Sequence, residues 1–257
     1  MRFIFIGDVV GSCGCEALRT WLARLKCEYS ADVAIVNGEN SAEGNGITIK
    51  SMRSILDAGA DVITTGNHAF HRPDISDEFE RNERIIRPAN YGDELPGCGV
   101  CELDFASCRA AIVNLSGTAY MPPCDNPFKY VEKLLEKIDA EMIIVDFHAE
   151  ATAEKKAMGF FLAGKVSAVL GTHTHVQTAD ERIIDGTGYI TDAGMTGAVN
   201  SVIGVKKEIA IDRFSSYVYR KNEFEKGEAE ICGVFLELDN KSGKCLKIER
   251  IRKIVKA

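Results

Sequence analysis

Five short apolar runs in this 257-residue chain each break off at a polar residue able to bind a metal ion, and that recurrence constrains the fold more than any other feature. Residues 2–7 run out at Asp8, 33–36 at Glu39-Asn40, 62–63 at Asn67-His68, 142–147 at His148, and 166–170 at His173-Thr174-His175. Runs this short and this rich in Ile and Val read as strands buried on both faces. Between the first three lie two segments with apolar residues at helical spacing: 15–28, with Leu18, Trp21, Leu22 and Leu25, and 48–58, with Ile49, Met52, Ile55 and Leu56. This β-α-β-α-β order predicts parallel strands linked by helices. In such sheets ligands gather beyond the carboxyl ends of the strands, where all five polar sites fall.

The second half changes pattern. Residues 99–105 and 110–115 read as two strands joined by a turn. A helix over 127–138 is entered at Asn126-Pro127, and proline suits a first helical turn. A second helix over 152–163 has Thr152 as its expected cap. Short strands are expected at 188–191, 208–212, 230–238 and 245–254. No repeat or linker interrupts the chain. The expectation is a single α/β domain over 1–257: two packed sheets with helices outside.

Composition narrows the function. A net charge of −7 argues against stable nucleic-acid binding, which needs a basic face. An anionic small molecule stays open, because bound metal supplies local positive charge. No segment approaches the roughly 20 apolar residues of a membrane span. The nine cysteines are an odd set, and the opening apolar run is too short for a secretory core, so reduced thiols in a cytoplasmic protein are expected. Cys13-x-Cys15 and Cys98-x-x-Cys101 have zinc-like spacing, but no histidine lies near either pair, and ordinary thiols are the better reading. Gly7, Gly11 and Gly14 do not match the dinucleotide spacing, and Asp8 stands where a pyrophosphate would lie.

The strand-end residues have a common chemistry. Carboxylate, amide oxygen and imidazole together suit iron, manganese or zinc. Four of the five histidines belong to the set. His173 and His175 are two apart, so an extended backbone would turn both rings to one side. Glu39 is the expected bridge between two cations roughly 3.5–4 Å apart.

The blocks Gly7-Asp8, Gly38-Glu39-Asn40, Gly66-Asn67-His68, His148 and Gly171-Thr172-His173-Thr174-His175 resemble those of the calcineurin-like metallophosphoesterases. Four further stretches resemble one subgroup, the YmdB-like phosphodiesterases of bacteria: NGENSA from Asn37, HAEAT from His148, GTHTHVQTA from Gly171 and TDAGMTG from Thr191. The resemblance implies a four-layer α/β/β/α sandwich with its active site at the strand carboxyl ends. It implies a binuclear centre, iron first with manganese or zinc as alternatives, and a homo-oligomer. Carried over residue by residue, Asp8 and His175 would bind one metal, Asn67, His148 and His173 the other, with Glu39 bridging. Asn40 would sit beside the first metal as a ligand or hydrogen-bond donor, and His68 would be the general acid.

Two positions depart from the pattern. Val10 stands where the wider superfamily has the histidine of Asp-x-His, a loss the subgroup shares. His71 stands where the subgroup usually has an acidic residue, in the run His68-Ala69-Phe70-His71-Arg72. The expected activity is hydrolysis of phosphodiesters, 2′,3′-cyclic nucleotides among them, by a metal-activated hydroxide with His68 protonating the leaving oxygen. The competing readings are a phosphomonoesterase, either nucleotidase or protein phosphatase, and a metal-bound regulatory protein without activity.

Overall fold

The computed structural model describes residues 1–216 and 218–256. Its elements in chain order are β1 (Arg2–Ile6), β2 (Asp8–Val9), α1 (Gly11–Tyr29), β3 (Val33–Asn37), α2 (Ile49–Asp57), β4 (Val62–Thr64), α3 (Ser76–Arg81), β5 (Val100–Phe105), β6 (Cys108–Ser116) and α4 (Pro127–Leu135). They continue as β7 (Met142–His148), α5 (Thr152–Phe161), β8 (Ala168–Thr172), β9 (Arg182–Ile184), β10 (Thr187–Ile190), β11 (Met195–Ala198), β12 (Ser201–Val202), β13 (Val205–Lys206), α6 (Lys207–Ser216), β14 (Glu228–Leu238) and β15 (Cys245–Lys256).

The fold is mixed α/β, with parallel and antiparallel pairing in each large sheet. The first sheet runs β2-β11-β14-β1-β3-β4, with β15 on the other edge of β14. The second runs β5-β6-β7-β8-β10-β9, and β12 and β13 form a separate hairpin. The expected β-α-β-α-β unit is present: β1, β3 and β4 are parallel neighbours. In the second sheet β6, β7, β8 and β10 are also parallel.

Alternation within each strand explains why the runs read as continuously apolar. On β1, Ile4 and Ile6 face the core under α1 and α2, together with Leu18, Leu22 and Ile55. Phe3 and Phe5 point the other way, into a core shared with Ile112, Ile144 and Leu170 of the second sheet. The far side of that sheet presents Val113, Val145 and Phe147 to Val131 of α4 and Met158 of α5. Every residue of β3, β4, β7 and β8 is buried, so none of these strands keeps a polar face.

Several boundaries and one element differ from expectation. Helix α1 begins at Gly11, four residues early, because Gly14 lets it sit against β11; a Cβ there would lie 2.3 Å from the Thr196 carbonyl oxygen. Helix α4 starts at Pro127 as expected but ends at Leu135, three residues early, and the Asn126 side chain caps it by accepting from the amides of Phe128 and Lys129. In α5 the cap position is Ala151, and Thr152 is already helical. The strand expected at 208–212 is the middle of helix α6. Ile209 and Ile211 mimic strand alternation, but in a helix of 3.6 residues per turn they point to opposite sides, Ile209 half-buried and Ile211 61% exposed, with only Ala210 of the helix buried. No helix among the described residues is long and apolar enough to cross a membrane.

The cysteine half-sites stay apart. Cys13 belongs to the core under α1, and Cys101 to the core between the sheets.

Candidate metal centre

The carboxyl ends of β1, β3 and β4 in one sheet and of β7 and β8 in the other open on the same side, and the strand-end residues meet there. Asp8, Glu39 and His148 are fully buried, and Asn40 nearly so. The tightest convergence is at His148 Nε2. Asn67 Oδ1 lies 3.0 Å from it, His173 Nδ1 3.1 Å and Glu39 Oε1 3.2 Å. One ring N–H cannot satisfy three lone-pair atoms at once. A cation can: bonds of about 2.1 Å at right angles separate ligand atoms by about 3 Å. Among the described residues, Glu39, His148 and His173 form a group with the spacing of a metal site.

A looser set adjoins it. His175 Nε2 is 3.2 Å from Asn40 Nδ2 and 3.8 Å from Asp8 Oδ1. Among the described residues Asp8 Oδ1 has no hydrogen-bond partner although it is buried, the condition expected of an atom that awaits a ligand. Glu39 touches both sets, since Oε1 also lies 2.9 Å from Asn40 Nδ2. His68 stands at the rim. Its Nδ1 is 2.9 Å from Asn40 Oδ1 and 3.3 Å from Glu39 Oε1, and its backbone amide donates to Glu39 Oε2.

The electrostatics fit cation binding. Burial alone would raise the Glu39 pKa, but the imidazoles of His148 and His68 hold it well below the ordinary carboxylate value. Burial, with the charge at His148, lowers His173 to about 3, so it is neutral and free to coordinate. Burial raises Asp8 against the pull of His175 and His148. Burial disfavours a charged His148, yet the Glu39 and Asp8 carboxylates outweigh it and push that imidazole up to about 9. The protein thus asks for a positive charge at Nε2, whether carried by a proton or by a metal.

Backbone choices bring these side chains together. Gly66 is required: a Cβ there would fall 2.3 Å from His148 Cδ2 and 2.4 Å from Glu39 Oε2. The loop carrying His173 and His175 is not extended, contrary to expectation. Both residues take positive φ, +100° and +66°. Left-handed backbone at a residue other than glycine costs about 1–3 kcal/mol and persists only where its surroundings impose it. Here the His173 amide donates to Asp8 Oδ2, while Thr174 gives its amide and hydroxyl to Asp192 Oδ2. Val10 lies outside the centre, packed against Gly197 and Gly204.

Five supporting residues, Thr172, Asp146, Asp192, Lys155 and Glu150, are not singled out by the strand-end pattern. Thr172 donates to Asp146 Oδ1 at 2.6 Å, so its oxygen accepts from His148 Nδ1 at 2.9 Å, and that leaves Nε2 as the nitrogen available to a cation. Asp146 precedes His148 by two residues on β7 and shares its face, a signal present in the sequence. Burial pushes Asp146 up to about 6, against the hydrogen bonds that favour its charge. Asp192 accepts from Lys155 Nζ at 2.7 Å. Glu150, half exposed, lies 3.1 Å from His173 Nε2 and orients that ring from outside.

Comparison with known proteins gives the family. The family model of YmdB-like proteins matches residues 4–251. A 2′,3′-cyclic-nucleotide 2′-phosphodiesterase of Bacillus subtilis strain 168 is 41% identical over 254 residues, covering 98% of this chain and 96% of that protein. Two crystal structures superpose with a TM-score of 0.93. One is a hypothetical protein from Thermus thermophilus, 36% identical with 99% of each chain covered. The other, described as a novel phosphatase from Mycoplasma pneumoniae, is 39% identical and covers 99% of this chain and 93% of that one. With blocks quoted from Gly7 to Gly197 and a match running nearly end to end, the chain belongs to the YmdB-like family of metallophosphoesterases.

Proposed function

We propose that this protein is a metal-dependent phosphoric diester hydrolase whose substrates are nucleoside 2′,3′-cyclic phosphates. The observation that carries the reading is the convergence of Asn67, His173 and Glu39 on His148 Nε2, with the His68 imidazole beside it. The named activity of the Bacillus subtilis relative supports the substrate class.

Two cations fit the arrangement, since Glu39 reaches both groups of donors. Asn67, His148 and His173 would hold one, Asp8 and His175 the other, with Asn40 beside the second and Glu39 between. The N/O donor set suits iron, with manganese or zinc as alternatives. Bound there, the cations would neutralise phosphate charge and make water acidic enough to attack at neutral pH. Water oxygen adds to phosphorus, the P–O2′ bond breaks, and a nucleoside 3′-phosphate remains. His68, kept out of the ligand set by Asn40 and Glu39, gives its proton to the departing O2′, a contribution of about 10²–10⁴ in rate.

Three apolar cores, one between the sheets and one beneath each outer helical layer, support a four-layer α/β/β/α sandwich forming one domain over 1–257. Nine free thiols fit a cytoplasmic enzyme. The exposed Ile211 and Phe214 of α6, beside Val202 and Ile203, offer a second copy of the chain an apolar face, which favours a homo-oligomer over a nucleic-acid partner.

The test is hydrolysis of adenosine 2′,3′-cyclic phosphate by purified protein loaded with manganese or iron, with bis- and mono-p-nitrophenyl phosphate alongside. Turnover of both diesters, lost with a chelator, is expected. Preference for the monoester would favour a phosphomonoesterase, and no turnover despite full metal content would leave a regulatory metal protein.

A further inference from the structure

Two loops beside His68 are fastened to each other by a residue outside the proposed ligand set. His71 Nδ1 lies 2.6 Å from Asn45 Oδ1. That oxygen only accepts, so His71 carries its hydrogen on Nδ1. Arg72 closes the same junction, donating to the backbone carbonyls of Asn45 at 2.7 Å and Ala42 at 2.9 Å. The His71 ring packs on the His68 ring with centroids 4.6 Å apart and planes at 44°, and the His71 amide donates to the His68 carbonyl at 3.0 Å. His68 Nδ1 meets Asn40 Oδ1 at 2.9 Å, and Asn40 and Asn45 lie on the same loop, between β3 and α2. A closed circuit therefore runs from His68 to Asn40, along the loop to Asn45, across to His71 and back to His68 by ring contact.

We propose that His71 is a positioning residue that fixes the ring plane of His68, so that Nε2 faces the leaving oxygen while Nδ1 stays on Asn40. Asn40 alone fixes one ring atom and leaves rotation about that hydrogen bond. The face of His71 supplies the second constraint, and Asn45 anchors His71 in turn. The inference rests on the reading of His68 as proton donor. His71 itself is exposed and makes no core contact, so its substitution leaves the fold intact.

The experiment uses the metal-loaded enzyme and two diesters that differ in their need for a proton. Adenosine 2′,3′-cyclic phosphate expels an alkoxide, which requires protonation. Bis(p-nitrophenyl) phosphate expels a phenolate, which is stable without it. His71→Ala is expected to lower kcat on the cyclic nucleotide by about 10- to 100-fold, with KM within about twofold and a much smaller change on the aryl diester. His68→Ala should show the same split more deeply. His71→Gln keeps a donor for Asn45, and His71→Phe keeps the ring face, so partial rescue by either identifies which contact does the positioning. If His68→Ala gives the split and His71→Ala lowers both substrates equally or neither, the positioning role is wrong. If His68→Ala gives no split, the proton-donor reading fails first and takes this inference with it.

Discussion

Lys155 Nζ lies 2.7 Å from Asp192 Oδ2, and both side chains are buried to within 1%. The same carboxylate oxygen takes the Thr174 amide and hydroxyl, and Oδ1 takes the Gly194 amide. The pair therefore sits directly beneath the strained loop that carries His173 and His175.

Removing one member of a buried pair leaves the other charge uncompensated, at a cost of about 3–5 kcal/mol. Lys155→Met should destabilise the protein by that order in denaturant unfolding and weaken metal binding as the loop relaxes. The double variant Lys155→Met/Asp192→Leu should recover part of the stability but not the metal affinity. Parent-like metal affinity in the double variant would show that the pair does not impose the loop's conformation.

Gly66→Ala is expected to separate folding from metal binding. The added methyl would clash with the Cδ2–Nε2 edge of the His148 ring and with Glu39 Oε2. Overpacking of this kind costs about 1–3 kcal/mol, which a domain of ordinary stability survives. Circular dichroism should stay native while elemental analysis shows lost metal. Full occupancy in this variant would mean that Glu39 and His148 do not share a cation.

Glu39→Gln and His173→Ala should differ in stoichiometry. Glu39 reaches both donor groups, so its loss is expected to empty or disorder both sites, whereas His173→Ala should spare the site near Asp8. Counting metal per chain by elemental analysis distinguishes the two results, and equal losses would remove the bridging role from Glu39.

The raised pKa of His148 sets a pH window. A histidine whose pKa rises on folding contributes stability that is complete below its unfolded value and disappears as pH climbs through the folded one. For the metal-free protein, thermal stability should fall between pH 6.5 and about 9 on this account. A cation on Nε2 displaces the same proton, so metal affinity should tighten by about tenfold per pH unit over that window and then level off. Calorimetry in buffers of different ionisation heat counts the released proton. Affinity flat from pH 7 to about 9 would rule out this linkage.

The chain announces its centre but not how the centre is held. Asp8, Glu39, Asn67 and His148 each follow an apolar run, and a sheet delivers its strand ends to one place, so their meeting is legible. His173 and His175 are legible as residues but not as geometry. Their positive φ values are held by Asp192, 18 residues from Thr174, and Asp8, 165 from His173, and local spacing carries no trace of such contacts. Helix α6 reads as a strand because Ile209 and Ile211 alternate, and with Ala210 its one buried residue and the adjacent β12–β13 hairpin its packing partner, it leaves no apolar stripe at helical spacing to read. The His71 contact to Asn45 spans 26 residues with no periodic signal between them.

Asp146 has a consequence beyond its part in orienting His148. It belongs to the second sheet, yet Oδ2 accepts from Asn37 Nδ2 at 2.9 Å and Thr64 Oγ1 at 2.5 Å, both on strands of the first. Two greasy slabs pressed face to face can slip sideways at little cost, since apolar contact has no preferred direction. A single directional peg removes that freedom. Asp146 keys one slab to the other at the end where the five strand tips must line up, so the alignment on which the centre depends is built into the chain before any ion arrives.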